Sequence, residues 1–146
     1  MVFVLDNSVA LAWCFADEQT PAVMALLERT VKEGAVAPSL WPLEAVNALF
    51  VAQRKRRITR EQRTWLTLRL AQLPIEIDHG PRDGKLTTNV SSLFHPVEIL
   101  CERYDLTAYD AAYLALALRR KLPLATRDKA LIAAAEDQGL LLLETL

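Results

Sequence analysis

Short apolar runs that stop abruptly, each followed by residues at helical spacing, leave few folds open to this chain. The first run, Val2 to Leu5, ends on Asp6. A continuous apolar run this short fits a strand covered on both faces, as in a parallel sheet. Asn7 or Ser8 can cap a following helix that runs to about Phe15. Thr20 with Pro21 opens a second helix to about Lys32, which Gly34 ends. Ala35 to Ala37 forms another short strand, stopped by Pro38, and Leu43 to about Arg56 carries Leu43, Val46 and Phe50 at helical spacing. Thr59 with Gln62 has the form of a capping box for a helix to about Leu73, where Pro74 intervenes before a weak strand at Ile75 to Ile77.

The segment from His79 to Pro96 holds two of the four glycines and two of the seven prolines, and reads as a long loop with at most a turn of helix near Leu93. Val97 to Tyr104 is helical, and Thr107 caps a helix from Ala108 to about Arg120. A strand at Leu124 to Thr126, a helix from Asp128 to Gln138 and a last buried strand at Leu140 to Leu143 complete the chain. Strands alternating with helices predict a three-layer α/β/α fold with a central parallel sheet of four to five short strands. A length of 146 residues fits a single domain over 1–146.

With 52% hydrophobic and 24% charged residues the composition is that of a globular protein, not a disordered or fibrous one. No apolar window is long enough to span a membrane, and the first apolar run lacks the basic lead of a signal peptide. Cys14 and Cys101 lie in apolar segments without metal-ligand spacing and read as reduced core residues of a cytoplasmic protein. Charge is unevenly spread. From Arg54 to Arg69 there are seven basic residues against Glu61 alone, a segment of +6 in a chain of net −1. That run is either a solvated helical face or a surface turned toward a polyanion.

Ligands of open parallel α/β sheets collect just beyond the carboxyl ends of the strands. Asp6 follows the first strand directly, Glu44 lies in the first turns of the helix after the second, and Asp128 lies two residues past Thr126. Asp110 opens the helix capped by Thr107. Each acid has an ordinary structural use as a turn or cap residue. Four of them at one sheet edge would repel one another, however, and a divalent cation removes that conflict. An oxygen-only donor set favours Mg²⁺ or Mn²⁺ over zinc, and suits in-line displacement at phosphorus. Asn47, three residues after Glu44, and Ser8 and Thr126 are candidate supporting polar groups.

The stretches Val-Leu-Asp6-Asn-Ser-Val, Glu44-Ala-Val-Asn47, Leu-Thr-Ala-Tyr-Asp110-Ala-Ala-Tyr-Leu-Ala and Ala-Thr126-Arg-Asp128 occur in this order. Together they resemble the PIN-domain ribonucleases, most closely the VapC toxins of type II toxin–antitoxin pairs, over Phe3 to Leu143. The resemblance implies a Mg²⁺- or Mn²⁺-dependent endoribonuclease, with Asp6, Glu44 and Asp110 as core acids and Asp128 as a fourth. It implies supporting roles for Asn47 and Thr126, a homodimer, and a cognate VapB-type antitoxin that blocks the site. Beside it, Arg54, Lys55, Arg56 and Arg57 become candidate contacts for the RNA backbone. Arg127 is read as exposed or as tuning the site electrostatically, and Trp13, Trp41 and Trp65 as core or partner-groove residues. The competing reading is a catalytically inactive PIN-like scaffold that acts only by binding its antitoxin. A haloacid-dehalogenase-type phosphatase also places an aspartate after its first strand, but expects a second one where this chain has Ser8.

Overall fold

The computed structural model describes residues 1–81 and 90–146. Its centre is a parallel sheet of four strands, β1 (Val4–Leu5), β2 (Ala35–Pro38), β3 (Ile75–Asp78) and β4 (Leu124–Ala125), in the order β3-β2-β1-β4. Val4 pairs with Val36 on one side and Leu124 on the other. Every residue of β1, β2 and β4 is buried, which is why these strands read as unbroken apolar runs. The edge strand β3 is more exposed and alternates with Glu76 and Asp78.

Among the described residues, seven α-helices cover the two faces: α1 (Asn7–Cys14), α2 (Pro21–Glu33), α3 (Trp41–Arg54), α4 (Arg60–Ala71), α5 (Val90–Tyr104), α6 (Ala108–Arg120) and α7 (Lys129–Asp137). Helix α1 packs on α2 and α3, and α3 on α4, while α6 packs on α5, α7, β1 and β2. None of the helices is long and apolar enough to cross a membrane, among the described residues. Local signals set most of the boundaries. Thr20 caps α2 by accepting from the Val23 amide at 3.1 Å, with Pro21 at the first helical position. Thr59 and Gln62 form the reciprocal capping box of α4. Gly34, at φ +82°, ends α2 in a conformation that penalises any Cβ, and a Cβ there would meet the Pro74 carbonyl at 3.1 Å. Gly34→Ala is expected to destabilise the fold by about 1–3 kcal/mol in denaturant titration. An unchanged midpoint would show that the turn relaxes freely.

Three boundaries differ from the sequence reading. Asp6, not Asn7 or Ser8, is the N-cap of α1, because its carboxylate accepts from the Ser8 amide. The expected last strand at Leu140 to Leu143 reduces to one parallel bridge between Leu124 and Leu142. The segment still lies along β4, with the Leu124 amide donating to the Leu141 carbonyl and the Leu143 amide to the Leu124 carbonyl, both at 2.9 Å, but β4 is itself only two residues long and the pairing extends no further. The expected loop from His79 to Pro96 is helical from Val90 onward, and its central part, residues 82–89, lies outside the described residues. Pro96 hid the helix. An interior proline removes a ladder bond, at a cost of about 3 kcal/mol. Val97, Leu100, Cys101 and Tyr104, spaced as one helical stripe, pack on the core and hold α5 through it. Cys14 and Cys101 are both free and half-buried, at the rim of the core, not inside it.

Candidate active site

Asp6 directly follows β1, its amide donating to the Ala125 carbonyl of β4 at 3.0 Å. Its side chain is 4% exposed, an unusual place for a carboxylate with no cation beside it. Oδ2 collects the polar contacts: the Ser8 amide at 3.2 Å, the Ser8 hydroxyl, and Thr126 Oγ1 at 2.9 Å. Oδ1 receives none of these three bonds. The Ser8 hydroxyl also accepts from the Arg127 amide at 2.9 Å, and Thr126 Oγ1 accepts from the Asp128 amide at 3.1 Å. The turn after β4 is thereby locked to the turn after β1, residues 118 to 120 positions apart in the chain.

Glu44 lies in the first turn of α3 and reaches across to α6, where Tyr113 donates its hydroxyl to Glu44 Oε1 at 2.6 Å. Asp110 lies in the first turn of α6, with its amide bonded to Thr107 Oγ1 at 3.1 Å. Asp128 caps α7, its Oδ1 accepting from the Leu131 amide at 2.8 Å. Burial pushes the Asp6 carboxyl above its ordinary value, against the pull of its Ser8 and Thr126 bonds, and the charge of Asp128 adds to the rise. Burial also raises Glu44, with Asp6 and Asp110 contributing, and raises Asp110, with Asp128 and Asp6 contributing. The four acids therefore share one electrostatic neighbourhood. No lysine, arginine or histidine pairs with any of them among the described residues.

By type, these donors suit a hard cation, since the site offers oxygens and its like charges need compensation. Nor does it form a closed cage. Among the described residues no three His, Cys, Asp or Glu side chains stand close enough to hold one ion in common. Mg²⁺ commonly keeps several waters and takes only one or two carboxylates directly. Asn7 Oδ1, on the residue after Asp6, is a further buried oxygen with no hydrogen-bond partner.

The other candidates fall into two groups. Ser8 and Thr126 are bonded to Asp6. Asn47 is exposed on α3, one turn past Glu44, without a hydrogen bond to the acids. Arg54, Lys55 and Arg56 are exposed at the end of α3. Arg57 is engaged: it pairs with Asp17 at 2.8 Å and Glu18 at 2.9 Å and lies over the Phe15 ring at 3.8 Å. Trp13 and Trp41 are core residues, whereas Trp65 is 60% exposed beneath Arg69. Two participants were missed from sequence. Tyr113 could have been found from its spacing, three residues after Asp110 and so on the same face of α6. Glu18, which accepts from Arg127 at 3.2 Å, carries no local signal.

A family model for the PIN domain matches residues 3–137. Among solved structures, the chain is similar to the PAE2754 protein of Pyrobaculum aerophilum, at 22% identity and a TM-score of 0.66, over 99% of this chain and 91% of that one. It is similar to VapBC2 of Rickettsia felis bound to a DNA fragment of its promoter, at 14% identity and a TM-score of 0.66, over 97% of each chain. It is similar also to VapC20 of Mycobacterium tuberculosis, a toxin that cleaves the sarcin–ricin loop, at 14% identity and a TM-score of 0.61, over 90% of this chain and 93% of that one. No curated protein sequence matches it.

Proposed function

This chain belongs to the PIN-domain family, and from that premise we propose that it is a metal-dependent endoribonuclease, the toxin of a type II toxin–antitoxin pair. One observation carries the reading: Asp6, 4% exposed, is buried beside other carboxylates with no basic partner among the described residues. An acid raised by burial, with like charges nearby, is costly to the fold and is characteristic of working sites. The likeness to VapBC2 and to an RNA-cleaving toxin supports the toxin role and an antitoxin partner.

In this reading Asp6, Glu44, Asp110 and Asp128 together attract Mg²⁺ or Mn²⁺, with one or two of them as direct ligands. A divalent cation there supplies the charge stabilisation that displacement at phosphorus requires. Ser8 and Thr126 keep Asp6 turned so that Oδ1 faces the site. Tyr113 holds Glu44, and Asn47 orients substrate or water one turn further along α3. Arg54, Lys55 and Arg56 attract the RNA backbone. They stand about 15 Å along α3 from Glu44 at the usual helical rise, a reach of a few nucleotides. The working unit is one PIN domain over 1–146, acting as a cytoplasmic homodimer held in check by a VapB-type antitoxin.

The test is incubation of total RNA with the purified chain in Mg²⁺, in Mn²⁺ and in chelator, with Asp110→Asn alongside. Discrete fragments are expected that need metal and vanish in the variant. A folded protein that cleaves under no metal yet still binds an antitoxin would replace this reading with the regulatory scaffold.

A further inference from the structure

Beside Asp128 the surface opens into a cavity of about 810 Å³, within the range of pockets that enclose one small ligand. Its inner wall is Ser8, Thr126 and Asp128, so it is continuous with the carboxylate site. Leu11, Ile132 and Leu142 form an apolar side, Arg127 and Lys129 are its cations, and Glu18, Asp128 and Glu144 are its acids. The cavity is firmly built. Thr20 donates to the Thr145 carbonyl at 3.0 Å, and Thr145 donates to the Thr126 carbonyl at 3.2 Å, which pins the outer wall to the end of β4.

Arg127 is held at two points. Its amide donates to Ser8 Oγ at 2.9 Å, and its guanidinium meets Glu18 Oε1 at 3.2 Å across the cavity. Glu18 also pairs with Arg57 at 2.9 Å through its other oxygen. If Arg127 turns to another anion, Glu18 therefore keeps a cation.

We infer that this cavity is the subsite for one nucleotide flanking the bond that is cut, with Arg127 as the phosphate-binding residue that exchanges Glu18 for the nucleotide's phosphate. The apolar side receives the base, and the hydroxyl-lined wall and Arg127 receive sugar and phosphate. The inference rests on the ribonuclease reading above, because the subsite has meaning only beside a reacting phosphodiester.

The experiment uses a single-stranded RNA oligonucleotide carrying a cleavage site mapped on total RNA, and two versions with an abasic residue on one or the other side of the cut. Ile132→Trp adds bulk to the apolar side of the cavity and removes no carboxylate. It is expected to raise KM about tenfold on the intact oligonucleotide and to have no effect on one of the abasic versions. Arg127→Gln is expected to raise KM about tenfold and to lower the salt dependence of binding by about one ion, with Arg127→Lys restoring the slope. Equal loss by Ile132→Trp on all three substrates would overturn the subsite, as would wild-type kinetics in both variants. If those variants instead lost only affinity for a peptide antitoxin, the cavity would be a protein-docking site and the inference would fall. Absence of cleavage by the wild type itself removes the ribonuclease reading, and the subsite with it.

Discussion

Asp6→Asn is expected to lower RNA cleavage by about 10³-fold or more while making the metal-free protein more stable, by about 1 kcal/mol or roughly 3–4 °C in Tm. Both effects have one cause. The Asp6 carboxylate is buried, 4% exposed, and stands in the field of Asp128. An asparagine keeps an oxygen for the Ser8 and Thr126 hydrogen bonds and deletes the charge. Function loses its anionic donor, and the fold loses an uncompensated buried charge. The stability gain depends on pH with a definite sign. Asp6, Glu44 and Asp110 are raised from ordinary values of 3.8, 4.5 and 3.8. Between the ordinary and raised values the folded protein binds more protons than the unfolded one. Their stabilising contribution is thus complete below the ordinary values and is lost as pH rises through the raised ones. Asp17, Glu33 and Asp78 are lowered and act in the opposite sense, but they are common to both proteins and cancel in the difference. The advantage of Asp6→Asn should therefore be absent at the acid end and grow toward neutrality. Thermal unfolding in chelator from about pH 4 to about pH 8, alongside cleavage assays, checks both. Undiminished cleavage would remove Asp6 from the site, and a variant less stable than wild type at neutral pH would refute the account of its burial.

Tyr113→Phe is expected to weaken the apparent affinity for Mg²⁺ by about 10–100-fold, the usual cost of losing a group that orients a metal-binding side chain. The Tyr113 ring is fully buried, and its hydroxyl is the described hydrogen-bond partner of Glu44, at 2.6 Å. Burial and the adjacent Glu44 push its phenol well above the usual range, so it remains a donor at every working pH. Phenylalanine preserves the packing of α6, at a cost of about 1 kcal/mol for the lost bond. It leaves Glu44 free to rotate away from the other acids. Activity titrated with Mg²⁺ and with Mn²⁺, and the metal-induced rise in Tm, should both shift to higher metal concentration. A wild-type half-saturation point would mean that Glu44 orients without Tyr113.

What the sequence determined by itself is what nearest neighbours along the chain decide. Thr20, Thr59, Thr107 and Asp128 cap helices through amides three residues away, so their spacing in the sequence is the structure. The apolar runs of β1, β2 and β4 identify buried parallel strands, because only strands covered on both faces lack polar alternation. Strand ends then locate Asp6 and Asp128, and a parallel sheet brings all its carboxyl ends to one edge. Tertiary structure alone decided the rest. The Tyr113 bond to Glu44 joins residues 69 apart, and Glu18 reaches Arg127 over 109. No periodicity encodes such pairs. Packing carried α5 through Pro96 against its local preference, and the two-residue length of β4 left the last leucines a single bridge, Leu142 to Leu124, in place of a strand. Local propensity is worth a fraction of a kcal/mol per residue, whereas burying a stripe of side chains is worth several, and where the two conflict the burial wins.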